Sequence, residues 1–106
     1  MTTFDKRKDA FESKFARDEE LRFKATSRRN RMLGMWAAEK LGRTGDDADA
    51  YVREVIRSDM QEAGDDDVLR KVRADFEAAG VTQSDSEIRR AMDELLVTAV
   101  EQIRTI

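Results

Sequence analysis

Residues 66–96 read DDVLRKVRADFEAAGVTQSDSEIRRAMDELL, and this stretch decides the fold. Val68, Leu69, Val72 and Phe76 recur at the spacing that lines up one side of an α-helix. Gly80 follows where a helix commonly ends in a left-handed residue. Ser84 then opens an S-x-x-E capping box closed by Glu87. Beyond it Ile88, Met92, Leu95, Leu96, Ala99 and Ile103 carry the helical period onward. Asp65 and Asp66 stand at the positive end of the earlier helix and are expected to cap it. Two amphipathic helices joined by a short loop must bury their apolar faces against something else.

The same punctuation repeats upstream. Gly42 and Gly64 each follow a periodic apolar stretch, and Thr44 begins a T-x-x-D capping pattern ending at Asp47. Four helices are predicted, at about 19–41, 45–63, 66–79 and 85–104. The first carries Leu21, Ala25, Met32, Leu33, Trp36 and Leu41, and the second Ala48, Tyr51, Val52, Val55, Ile56 and Met60. No stretch alternates long enough to suggest a strand. The expected fold is all-α: a four-helix bundle over residues 19–106, preceded by a mobile or weakly helical segment, residues 1–18. Gly34 is the one glycine inside a predicted helix, where it costs about 1 kcal/mol relative to alanine. Close approach of another helix is the reason expected for it.

Composition narrows the function. Of 106 residues 41% are charged and 40% hydrophobic, with no proline, cysteine or histidine. Long uninterrupted helices are therefore allowed. Disulfides, thiolate metal sites and cysteine nucleophiles are excluded. So are histidine ligands and histidine bases. Adjacent carboxylates such as Asp93/Glu94 and Glu19/Glu20 diverge on a helix and cannot work as an acid–base pair. The run Gly64-Asp65-Asp66-Asp67 lacks the alternating ligand order of a calcium loop. No active site, cofactor or metal is expected. A net charge of −3 argues against nucleic acid as partner. No apolar run is long enough to span a bilayer, and the start MTTFDKRKDAFESKF lacks the apolar region of a secretory signal. The expected compartment is the cytoplasm.

The segment 1–18 stands apart. Phe4, Phe11 and Phe15 fall on one helical face, amid Lys6, Arg7, Lys8, Glu12, Lys14 and Arg17. Burying three phenylalanines gains about 5 to 9 kcal/mol. Ordering some 15 residues costs on the order of 15 to 30 kcal/mol before helical hydrogen bonds offset it. Such a segment is expected to order against a groove, with the phenylalanines as anchors. The plainer alternative is a fifth helix permanently docked on the bundle. In the basic run Arg28-Arg29-Asn30-Arg31, a solvated helix face is the first reading. A phosphate or nucleotide contact through Arg28, Arg29 and Arg31 is the alternative, which would make the chain a small phosphate-binding regulatory protein. No glycine-rich loop accompanies the run.

Taken together, FESKFARDEELRFKATSRRNRMLGMWAAEKLG, VLRKVRADFEAAG and EIRRAMDELL resemble the zeta subunit of alphaproteobacterial F-type ATP synthases. The likeness covers nearly the whole chain, helix order and glycine positions included. It implies a non-catalytic inhibitor of ATP hydrolysis, held at the cytoplasmic face of the inner membrane through the synthase without inserting into the membrane. It implies a partner in the catalytic head, comprising the alpha, beta and gamma subunits. The N-terminal segment would become helical at a catalytic alpha/beta interface, abut gamma and obstruct rotation in the hydrolytic direction. Carried onto this chain, Phe4, Phe11 and Phe15 would be its anchors. Lys6, Arg7, Lys8, Glu12, Lys14 and Arg17 would make flanking contacts, and Leu21, Arg22 and Phe23 would lie at the junction with the bundle. Lys6 and Lys8 make the segment more basic than the family pattern, and Met32 and Met35 stand where leucine is expected. Lacking histidine, the chain cannot copy a histidine-based pH switch.

Overall fold

A computed structural model describes residues 19–59 and 65–105. Among these it is an all-α four-helix bundle of α1 (Glu19–Lys40), α2 (Gly45–Ser58), α3 (Asp66–Ala79) and α4 (Asp85–Thr105). The expected arm, residues 1–18, and the last expected turn of α2 with Gly64 lie outside the described residues.

The helix ends show why the chain divides where it does. Gly42 and Gly80 adopt φ of +74° and +73°, which glycine reaches without a Cβ penalty. At each, the glycine N–H and the following N–H turn back onto the last helical carbonyls: Gly42 to Glu39 and Arg43 to Ala38, Gly80 to Glu77 and Val81 to Phe76. This paired pattern satisfies carbonyls a helix otherwise leaves open. Ser84 and Glu87 form the expected capping box, each side chain accepting the other's backbone N–H at 3.1 Å. The second expected box does not form. Thr44 takes the N-cap position, but its hydroxyl makes no cap hydrogen bond. Gly45 opens that helix at φ +56°, away from ordinary first-turn geometry. Asp65 likewise occupies the N-cap of α3 without a side-chain cap bond, because its carboxylate is engaged by two arginines.

Gly34 meets Val52 on α2, Trp36 stacks edge-on with Phe76 on α3 at 5.7 Å, and Leu33 and Ala37 share a core with Ile88 and Met92 on α4. That core adds Ala38, Tyr51, Val55, Val68, Val72 and Phe76, all fully buried. The expectation for Gly34 holds: a Cβ there would lie 2.9 Å from the Val52 Cα.

The two outer helices are longer than the inner pair, 22 and 21 residues against 14 and 14. At about 1.5 Å per residue, α1 exceeds α2 by roughly 12 Å. The overhanging turns of α1 pair with the last turns of α4 through a separate, smaller cluster: Ala25 and Val100 at its centre, Leu21, Leu96 and Ile103 around them. The described residues thus form a four-helix core with a two-helix neck, and α1 enters that neck at residue 19.

Candidate functional site

The neck carries the three expected junction residues that fall within the described chain. Leu21 is half-buried against Ala25, Val100, Leu96 and Ile103, so it serves the neck itself. Arg22 is exposed. Phe23 is 71% exposed, the most exposed large apolar side chain described. A single exposed apolar residue is ordinary on a protein surface. Its place one turn into the helix that continues the phenylalanine-bearing segment is what makes it a candidate contact. Phe4, Lys6, Arg7, Lys8, Phe11, Glu12, Lys14, Phe15 and Arg17 all lie outside the described residues.

The basic run of α1 does not form one solvated face. Arg28 and Arg31 are exposed, whereas Arg29 is 3% exposed and Asn30 is buried. Arg28 donates from Nε to the Gln102 side chain on α4. Arg29 points the other way, so the three guanidiniums do not converge on a common anion position. The reason lies in spacing: Ala25, Arg29, Leu33 and Ala37 follow one another four apart down the buried side of the helix.

Arg29 is the centre of a charged network at the boundary between core and neck. Its Nε donates to Asn30 Oδ1 at 2.8 Å, and its Nη1 reaches Asp65 Oδ2 at 3.5 Å. Burial lowers the Arg29 pKa, and the carboxylates of Asp65 and Asp59 oppose that shift. Burial raises the Asp59 carboxyl, partly offset by a hydrogen bond from Asn30 and the charge of Arg29. Burial would raise Asp65 too, but Arg89 and Arg29 together outweigh it and hold the carboxyl below its ordinary value. Arg89 spans two carboxylates at the start of α3, Nη1 to Asp65 at 2.8 Å and Nη2 to Asp66 at 2.9 Å. Buried Asp67 pairs with Arg70 one turn along. The network therefore ties α1, the end of α2, the start of α3 and α4 at one level. The expected capping aspartates turn out to serve mainly as its acidic half.

A second charged group surrounds the buried Tyr51. Arg43 and Lys71 lie over its ring at 5.0 and 5.3 Å. Lys71 also bonds Glu54 at 3.0 Å and Asp75 at 2.9 Å. Partial burial acts against the Lys71 charge, but these carboxylates raise its pKa overall. Arg43 approaches Glu54 at 4.0 Å, which joins the loop after α1 to α2. These contacts hold helices together and present no reacting group to solvent.

Among the described residues, no group of histidine, cysteine, aspartate or glutamate side chains could hold a metal ion. No described helix is long and apolar enough to cross a membrane.

Comparison with known proteins adds two findings. A family model described as ATPase inhibitor subunit zeta matches residues 1–102. A protein solved by solution NMR is similar in structure with a TM-score of 0.71, at 40% sequence identity, covering 80% of this chain and 96% of that one. No curated protein matches.

Proposed function

We infer the role from one premise: the chain belongs to the ATPase inhibitor subunit zeta family. The family is one of regulatory subunits, and the chain is read here as a regulator of an F-type ATP synthase with no catalysis of its own. It acts on the catalytic head from the cytoplasmic side and remains peripheral to the membrane. Its N-terminal segment enters a catalytic alpha/beta interface as a helix, meets the gamma subunit and blocks rotation in the direction of ATP hydrolysis. Phe4, Phe11 and Phe15 anchor that helix, and Lys6, Arg7, Lys8, Glu12, Lys14 and Arg17 flank it. Leu21, Arg22 and Phe23 form the junction.

The observation that carries this reading is the extent of the family match. It begins at residue 1, so the phenylalanine-bearing segment belongs to the family pattern along with the bundle. The architecture supports it: the two-helix neck ends where that segment begins, and Phe23 faces solvent beside the junction.

The test compares the full chain with a variant lacking residues 1–18, each added to purified enzyme head during ATP hydrolysis. The full chain lowers the rate and the truncated chain does not, while the truncated chain still melts cooperatively. Equal inhibition by both would overturn the steric mechanism. An unaffected rate with the full chain at micromolar concentration would overturn inhibition altogether.

A further inference from the structure

We propose that the outward face of α1 made by Lys24, Arg28, Arg31 and Met35 is a second docking surface, fitted to an acidic patch on the same protein that receives the N-terminal segment. The inference rests on the inhibitory reading above and names a further contact of that complex.

The face is set by helical geometry. Steps of four, three and four residues keep all four side chains within an arc of roughly 60° over a length of about 16 Å. All four are exposed, Met35 at 60%. Among the described residues, little neutralises the three cations. Lys24 reaches Glu20 one turn away at 3.2 Å, with both side chains largely in water. Arg28 takes a neutral amide, that of Gln102. Arg31 has no ion pair among the described residues. The chain as a whole is acidic, net −3, so this face is a local reversal of sign, and such reversals direct encounter with an oppositely charged surface.

Position supplies the partner. Lys24 lies six residues after the end of the 1–18 segment, on the helix that continues it. Whatever grips that segment is thereby brought beside this face. A membrane surface fits less well: an in-plane amphipathic helix needs a broad apolar side, and here one methionine accompanies three cations. A second copy is the other acidic candidate, through Asp46, Asp47 and Asp49 on the exposed start of α2.

The test uses the full chain, wild type and R28E/R31E, and purified enzyme head. Association rates are measured at about 50 mM and about 300 mM salt, conditions across which screening shortens markedly. Charges at an interface rim act mainly on the rate of association and its salt dependence. The double variant is expected to associate about tenfold more slowly at low salt, with the gap closing at high salt and full inhibition still reached at saturation. Unchanged association with intact inhibition would overturn this proposal and leave the inhibitory reading standing. No inhibition by the wild type would remove both. The proposal is also overturned if the substitutions abolish only self-association in sedimentation, or only binding to phosphatidylserine vesicles. Arg28 contacts α4, so Arg31→Glu alone provides the same comparison if the double variant melts early.

Discussion

Replacing Gly34 by alanine is expected to destabilise the bundle by about 1 to 2 kcal/mol, although alanine is the better helix former. Two opposing effects set the size. Removing a glycine from a helix interior gains about 1 kcal/mol. Against this, the new methyl would lie 2.9 Å from the Val52 Cα, 3.2 Å from its Cγ2 and 3.3 Å from its Cβ. Overpacking costs typically 1 to 3 kcal/mol. The upper part of that range applies because the nearest atom is backbone, so relief requires moving α2 away from α1. Leu33, Ala37 and Val55 pack at the same interface and would lose contact with it. Urea unfolding followed by far-ultraviolet circular dichroism reads the difference as a lower midpoint at constant slope. A second substitution sharpens the test. Val52→Ala removes the Cγ2 contact but keeps the Cα and Cβ, so it should restore only part of the loss in the double variant. A midpoint for Gly34→Ala above the wild type would refute the close approach of α1 and α2, since helix propensity would then act unopposed.

Three further outcomes follow from the charged network and the caps. Arg29→Ala should lower the thermal midpoint by more than 10 °C, reflecting about 3 kcal/mol. That is the lower edge of the cost of breaking a buried pair, because Asp65 retains Arg89; scanning calorimetry checks it. Asp65 has its carboxyl held below the ordinary 3.8, so it contributes stability that is present above that value. As pH falls through the lowered folded pKa, the unfolded chain takes up the proton first and that stability is lost. Acid unfolding of Asp65→Asn should therefore be shallower below about pH 3.8 than that of the wild type. Finally, Ser84→Ala should cost about 1 kcal/mol in urea unfolding, whereas Thr44→Ala should cost under about half of that, as its hydroxyl makes no cap hydrogen bond.

Much of this architecture is legible in the sequence because it is local. The bounds of α3 follow from four apolar residues and one glycine, and Ser84 with Glu87 is a short-range motif that can only be satisfied one way. Gly34 is legible for a similar reason: an unforced glycine in a helix calls for a neighbour. What the sequence hides is decided at long range. Arg29 reads as one cation in a basic run, and its burial depends on Asp59 and Asp65, which the chain brings back only after a turn of its path. A local clue does exist, since Arg29 occupies the slot between Ala25 and Leu33 on the apolar row. The idle hydroxyl of Thr44 and the diverted carboxylate of Asp65 share a cause. A capping pattern states which residues could bond, while backbone conformation and competing arginines decide whether they do.

The unequal helix lengths have a mechanical consequence. Where α1 and α4 run beyond the described ends of α2 and α3, apolar burial among the described residues falls to the few side chains around Ala25 and Val100, and segments with sparse burial open at lower free energy than the rest. Amides near Ala25 and Val100 should accordingly exchange with deuterated solvent sooner than those near Leu33 and Met92; uniform protection would contradict this. A pull applied through the amino end would then meet a compliant stem before it reached a stiff body. Unzipping the stem would absorb strain delivered there and leave the ten side chains of the main core in place.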